Sequence, residues 1–391
     1  MGRRLVVGDL RVQRLERRDD GWSFTILWPE GSVHREADRF LRTLESGTDR
    51  TYAYLLVDHL RWLEHECVAL EKVSLRDLQR YMGAVGAKVA GPFGGPWREG
   101  KRPYGQSTLS TAAACVKGFY MYQAALGLNE GLGAQLDKTR LPNRADRARA
   151  MLGHLGREMP ANPLAPNRVR RRHPKMAPEG ARRQLSQVVH TARDRMVIAW
   201  LVDGGFRIGE LCGLHLADLH LRESAACGQC RSPHVHVCHR PSNANRAAAK
   251  TKLDWALKDG TVCGGLIKRV SPAMIHTYFE YLTTEYPADV GHGMLLVQMH
   301  GPGHGQPWTT DAARGMLRRA GNRAGLGRIR PHSFRHSFAT AVLDASGGNL
   351  VVTREAGGWA SATTVDEIYA HADVHDPVFD RALRHVWDGS E

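Results

Sequence analysis

Between Leu141 and Arg183 the three-to-four spacing of apolar residues that marks the chain on both sides stops, so one core cannot run through this region. The stretch NPLAPNRVRRRHPKMAPEG carries four prolines and, from Arg168 to Lys175, five Lys or Arg without an acid. Proline removes backbone donors and like charges repel, which predicts an extended basic linker. A chain of 391 residues is long enough to place a separate core on each side of it.

Charge bounds the partner. Lys plus Arg exceed Asp plus Glu by 54 − 40 = 14, and 42% apolar with 24% charged residues is a globular balance. Such an excess suggests a polyanion, most economically nucleic acid. Arg168, Arg170, Arg171, Arg172 and Lys175 are then candidates for tracking phosphates, which adds affinity and carries no direct sequence information. No run of about 18 apolar residues exists, and MGRRLVVGDLRVQR has neither a long apolar stretch nor a small-residue cleavage site. The expectation is a cytoplasmic, nucleoid-associated protein with no membrane partner.

The periodicity predicts four parts. Residues 1–36 hold short alternating segments, LRVQRL and WSFTILW, around turn-like RRDDG and PEGS, a short β-rich N-terminal extension. Residues 37–140 read as an all-α domain: a helix near Phe40, one with Tyr52, Leu55, Leu56, Leu60 and Leu63 on a face, one opened by Ser74 and Asp77, and one capped by Ser107. Residues 141–183 are the linker. Residues 184–391 read as a mainly α domain with a small β-sheet, an α+β arrangement, with strands at 234–240 and 266–271 and helices near 273–284, 309–323, 334–345, 349–356 and 362–370. In DPVFDRALRHVW, Val378, Phe379, Ala382, Leu383, Val386 and Trp387 form a further helical stripe, to be covered either by its own domain or by a second copy.

Seven scattered cysteines argue against a disulfide framework. Cys67, Cys115, Cys212 and Cys263 sit in apolar neighbourhoods and read as small hydrophobes. In CGQCRSPHVHVCH, a strand would alternate His234, His236 and Cys238 onto one face, so with Cys227 and Cys230 a structural zinc site is geometrically open. The competing reading is a hairpin whose histidines face solvent or DNA.

Cutting a phosphodiester with side chains alone requires fixed cations for the nonbridging oxygens, a general acid for the leaving alkoxide and a nucleophile. Arginine suits the first task, Lys or His the second, and a hydroxyl the third, keeping the bond energy in a covalent intermediate. The chain carries Arg207 after two glycines, Lys250 in NRAAAKTKLDW, His332 with Arg335 ahead of the apolar run Phe334, Phe338 and Val342, and Tyr369 in SATTVDEIYAHA. Each alone is ordinary surface or packing material. The glycines at 204, 205, 209 and 213 do not fit a dinucleotide fingerprint, and HSFRH is not HExxH.

The order of the motifs resembles the tyrosine recombinase (phage integrase) family. GGFRIGELCGL is similar to its first arginine box, HSFRHSFAT to its HxxR box and GGWASATTVDEIYAH to its closing block, while residues 37–140 resemble its SAM-like core-binding domain. The resemblance implies a site-specific DNA recombinase of integrase or transposase type, acting on double-stranded DNA at specific sites through a 3′-phosphotyrosyl intermediate, with no cofactor required for catalysis. Arg207 and Arg335 would hold the nonbridging oxygens, Tyr369 would attack, Lys250 would protonate the leaving 5′-oxygen, and His332 would act as acid/base. Trp359 stands where most members carry histidine, which narrows its role to binding and packing. Glu210, one turn beyond Arg207, is placed to orient it or balance its charge, an exposed helix acid being the alternative, and His336 reads as structural, a hydrogen bonder behind the groups that meet the phosphate. An insertion follows Lys250 and makes Lys252 its rival. The resemblance also implies a homo-oligomer, a tetramer in synapsis joined by the C-terminal helix, with an accessory directionality factor as a further partner. A type IB topoisomerase-like strand transferase and a non-catalytic DNA-binding protein on the same scaffold are the alternatives.

Overall fold

The computed structural model describes residues 9–16, 22–45, 47–87, 97, 102–142, 158–166, 175–251 and 253–359, together with Ser361, Ala362, Val365 and Tyr369. The chain divides into two units, residues 1–171 and 172–391, within the stretch read as a linker.

In the first unit, Arg11–Glu16 (β1) and Trp22–Leu27 (β2) pair antiparallel, in register from Arg11 opposite Leu27 to Glu16 opposite Trp22. The hairpin is built into the helical core: Leu10 and Ile26 are fully buried with Phe40, Leu56 and Phe119. Five helices follow, Arg35–Leu41 (α1), Thr48–His65 (α2), Leu75–Gly86 (α3), Gln106–Ala125 (α4) and Glu130–Leu136 (α5), then a two-residue pairing of Thr139–Arg140 (β3) with Met159–Pro160 (β4). Ser74 and Asp77 close a complete capping box at α3, each satisfying the other's backbone N–H. Ser107 does not cap α4. The helix begins one residue earlier, after an extended Gly105, and the Ser107 carbonyl accepts from Thr111 inside the first turns. Cys115 is buried as expected, whereas Cys67 is exposed, in a left-handed turn (φ 54°) just past the end of α2.

The second unit opens with Ala181–Val188 (α6), Ala192–Gly204 (α7) and Ile208–Cys212 (α8). Leu219–His220 (β5), His234–Val237 (β6) and Leu266–Arg269 (β9) form an antiparallel sheet in the order β5-β6-β9. Between β6 and β9, the insertion after Lys250 folds into its own hairpin, Trp255–Lys258 (β7) against Thr261–Gly264 (β8). Asp259 and Gly260 turn it with positive φ, the backbone that two-residue hairpin turns demand. Further helices among the described residues are Pro272–Thr284 (α9), Thr310–Arg323 (α10), Pro331–Ala345 (α11) and Leu350–Gly357 (α12). Ser271, Thr309 and Asn349 cap α9, α10 and α12 through their side-chain oxygens, so these starts are encoded locally. The core gathers around Trp200 on α7, whose indole donates to the Met274 carbonyl of α9 at 3.0 Å.

The two strands are shorter than the 234–240 and 266–271 expected, because pairing runs only from His234 opposite Arg269 to Val237 opposite Leu266. On α11, Phe334 is buried as expected, but Phe338 and Val342 are half-buried and the inward places fall to Ala339 and Leu343. Of the expected helix at 362–370, Ala362, Val365 and Tyr369 are described, and all three are helical. The stripe at 378–387, the rival Lys252, and linker residues Arg168, Arg170, Arg171 and Arg172 lie outside the described residues; Lys175 is described and exposed. Among the described residues no helix is long and apolar enough to cross a membrane.

Candidate active site in the second unit

A glycine positions the first two cations. Helix α7 ends at Gly204, and Gly205 turns the chain in the left-handed region (φ 54°), where a Cβ would also strike the Phe338 ring. The turn does two things. It delivers Arg207, in extended conformation, to the start of α8, and it points the Gly205 carbonyl at Arg335, whose Nη1 donates to it at 2.8 Å.

Glu210 connects the two arginines. Its carboxylate, 2% exposed, accepts from the Arg207 backbone N–H at 2.9 Å and from the Arg207 guanidinium at 2.5 Å, and lies 3.9 Å from Arg335 Nη1. One buried anion thus stands against two guanidinium groups, and the balance is positive. Arg335 is fully buried; its Nε and Nη2 have no hydrogen-bond partner among the described residues. Burial and the Arg207 charge draw its pKa down to about 10, opposed by Glu210 and Tyr369, which leaves it cationic at neutral pH. Unspent donors on a buried cation are costly, and an anion with free oxygens is what relieves them. The Trp359 ring covers the other side of this group, 4.1 Å from Arg335 Cζ. Trp359 can lie there because residue 357 is glycine: any Cβ at that position would occupy the indole's place.

Pro331 opens α11, and its first turns carry His332, Arg335 and His336. His332 is exposed, with its pKa lowered by partial desolvation and then by the Arg335 and Arg207 charges. Its ring meets that of His336 edge-on at 4.4 Å. The His336 Nδ1 lies 2.6 Å from the Tyr369 hydroxyl. Burial, then the charges of His332 and Arg335, push the His336 pKa down to about 4, so this imidazole is neutral at physiological pH. Tyr369 is 9% exposed and packs edge-on to Trp359 at 5.7 Å in a small cluster with Ala339, Leu343 and Val365. Burial raises its pKa, with Arg335 and Arg207 acting in the opposite direction, and the resting group is the phenol.

A cleft of about 690 Å³ opens beside this cluster, with Arg207, Lys250 and His332 on its wall alongside Arg314, Arg318 and Arg330. Lys250 is exposed there. The structure therefore brings Arg207, His332, Arg335, Trp359 and Tyr369 together, with Lys250 on the shared cleft wall.

Two side chains gain a place that sequence reasoning did not give them. His336, expected to be structural or a supporting hydrogen bonder, has the Tyr369 hydroxyl itself as its partner. Lys268 was not singled out; it is 2% exposed, and its Nζ donates to the Gly204 carbonyl at 2.8 Å and the Ala356 carbonyl at 2.9 Å. It ties the turn that holds Arg207 and Arg335 to the end of α12, just ahead of Trp359. Burial draws its pKa down to about 7, with Glu210 opposing and Arg335 and Arg207 adding to the fall. The available signal was register: Leu266, Lys268 and Val270 alternate, so a strand here turns Lys268 to the same face as two apolar side chains.

Comparison with known proteins places these features in a wider set. The profile of the phage integrase family matches residues 267–375. Transposase A from transposon Tn554 of Staphylococcus aureus is 21% identical over 373 residues, covering 94% of this chain and 96% of that protein. Tyrosine recombinase XerD of Mycobacterium tuberculosis is 26% identical over 344 residues, covering 81% and 89% respectively. Among solved structures, the Tn1549 transposon integrase in complex with transposon right-end DNA superposes with a TM-score of 0.56 at 16% identity, over 91% of this chain and 98% of that one.

Proposed function

The chain belongs to the phage integrase family of tyrosine recombinases, and on that footing we propose that it is a site-specific DNA recombinase that cleaves and rejoins duplex DNA through a 3′-phosphotyrosyl bond to Tyr369. The observation that carries the assignment of residues is the pairing of a buried, cationic Arg335, two of its donors unspent, with a Tyr369 hydroxyl held 2.6 Å from a neutral imidazole.

The chemistry follows from the groups present. Arg335 and Arg207 bind the nonbridging oxygens of the scissile phosphate and take up the charge that grows on them at the pentavalent transition state. The Tyr369 oxygen forms a bond to phosphorus while its proton passes to His336, since a phenol with a raised pKa does not ionise beforehand. The bond from phosphorus to the 5′-oxygen breaks, and Lys250 on the cleft wall gives that oxygen a proton. His332 donates a hydrogen bond to the phosphate. Attack by a 5′-hydroxyl from another strand reverses each proton transfer and frees Tyr369. The phosphotyrosyl diester conserves the energy of the broken bond, so rejoining needs no high-energy cofactor.

Each chain offers one such tyrosine and cuts one strand. Exchanging both strands of two duplexes takes four cuts, hence four protomers in the synaptic complex. The apolar stripe at residues 378–387 is the segment suited to link them.

The test is a nicked duplex carrying the recombination site, from which the short 5′-product diffuses away. Wild-type protein should accumulate a covalent protein–DNA species and Tyr369→Phe none. Noncovalent binding without that species would leave only a DNA-binding scaffold, and relaxation of a supercoiled plasmid lacking the site would favour a topoisomerase.

A further inference from the structure

The β5-β6-β9 sheet has two faces with different chemistry. Val235, Val237 and Leu266 join or pack against the hydrophobic core, and Lys268, opposite Val235, shares their side. The other face carries His220 directly opposite His234, with His236 two residues on. These imidazoles crowd one another, with ring centroids 4.7 to 5.1 Å apart. Cys227, from the loop joining β5 to β6, completes the group. One ligand atom from each of His220, Cys227, His234 and His236 lies within 4.8 Å of all the others.

We propose that His220, Cys227, His234 and His236 bind a structural zinc ion, which fastens the 221–233 loop to the sheet that carries Lys268.

The hydrogen bonds around the group set its protonation. His234 Nδ1 lies 2.7 Å from the Ser232 carbonyl and His236 Nδ1 lies 2.6 Å from the Gly264 carbonyl. A carbonyl only accepts, so both Nδ1 atoms carry the proton and both Nε2 atoms present bare lone pairs. Those Nε2 atoms face each other at 3.2 Å, on residues that are fully buried. Two lone pairs at that distance repel, and a buried proton shared between them would make an uncompensated imidazolium. Cys227 Sγ stands 3.2 Å from the same His234 Nε2, and the His220 Nε2 is buried with no hydrogen-bond partner among the described residues. A single cation at the centre satisfies all four atoms at once.

The donor set selects the ion. Three imidazole nitrogens and one thiolate suit zinc, and the absence of oxygen ligands from the set disfavours calcium and magnesium. Tetrahedral zinc with the usual bond lengths separates neighbouring ligand atoms by roughly 3.3 to 3.6 Å, close to the two 3.2 Å separations seen. Carbonyl partners on Nδ1 are the outer support that fixes a ligating ring and its tautomer. Four protein ligands close the coordination sphere, as in structural sites. Cys230 and Cys238 lie outside the group, and His220 joins from the neighbouring strand. The histidines thus face each other, and not solvent or DNA.

The test uses the full chain without a histidine tag, expressed in zinc-supplemented medium. Elemental analysis should find about one zinc per chain. After exchange, cobalt should show the visible absorption of a tetrahedral ion and a thiolate-to-metal charge-transfer band. That band should be lost in Cys227→Ser and kept in Cys230→Ser, while His220→Asn should lose the tetrahedral spectrum. A wild-type chain that holds no zinc and gives no cobalt spectrum would overturn the proposal without any variant having to fold. So would a spectrum abolished by Cys230→Ser and untouched by Cys227→Ser, or iron or copper in place of zinc.

Discussion

His336 Nδ1 sits 2.6 Å from the Tyr369 hydroxyl, 33 positions further along the chain, and this contact sets a neutral imidazole against the phenol that the proposed reaction uses as its nucleophile. Replacing the imidazole by an amide that accepts a hydrogen bond but takes up no proton, in His336→Asn, should slow formation of the covalent complex by about 10²- to 10⁴-fold, the range of a positioned general base. Binding to the uncut site should be unchanged. Because the pKa is depressed to about 4, the accepting form is present above that value and is lost only as pH falls through it. Single-turnover cleavage should therefore show no limb from this residue between pH 5 and 8. A limb near pH 6.5 that disappears in His336→Asn would contradict the assignment.

Lys250 shares the cleft with Arg207 and His332, the position from which the proposed reaction has it protonate the leaving oxygen. Lys250→Ala should lose about 10²- to 10⁴-fold in cleavage. Replacing the bridging 5′-oxygen of the substrate by sulfur, a leaving group that departs without a proton, should restore most of the loss. Lys252→Ala should cleave either substrate within a few-fold of wild type. Rescue of Lys252→Ala in place of Lys250→Ala would reverse the assignment.

Lys268 is held as a cross-tie, and its ammonium is expensive to bury. In the folded chain its pKa is near 7, against 10.5 in the unfolded chain, so between those values the unfolded state holds the extra proton. Stability therefore rises with pH across that window, by at most about 1.4 kcal/mol per pH unit from this group. Lys268→Met removes the titration. Urea unfolding at pH 7, 8.5 and 10 should show the wild-type curve climbing relative to the variant. Equal slopes would refute a strongly depressed amine. The variant should also cleave more slowly, because the Gly204 and Ala356 carbonyls lose their shared donor.

Among the described residues, Glu210 is the buried anion set against Arg207 and Arg335. Glu210→Ala should destabilise the chain by roughly 2 kcal/mol, less than the 3–5 of a fully buried broken pair, because the Arg207 side chain keeps 29% exposure and is screened. Thermal unfolding measures this directly. Glu210→Gln, which still accepts from the Arg207 backbone, should recover part of the loss. An unchanged melting temperature in Glu210→Ala would mean the carboxylate does not hold the arginines.

Much of this was legible before any coordinates, for local reasons. Ser74 with Asp77 is an instruction confined to one helical turn, and the order of Arg207, Lys250, Arg335 and Tyr369 is a property of the linear text, whereas α11 begins at Pro331, ahead of the 334 that apolar spacing indicates. Where several residues competed for one role, local reading faltered. Ser107 is a good cap by composition, yet α4 starts ahead of it. Cys67 has apolar neighbours in sequence and lies exposed.

The amino-acid sequence by itself determined that helices dominate both halves, which residue types can supply cations and a hydroxyl, and that two cores flank a basic break, because periodicity and charge act over a few residues. Only the tertiary structure decided that His336 meets Tyr369, that Lys268 ties Gly204 to Ala356, and that His220 rather than Cys230 joins Cys227. Those pairings come from strand register and helix packing, which bring together side chains that no local rule relates.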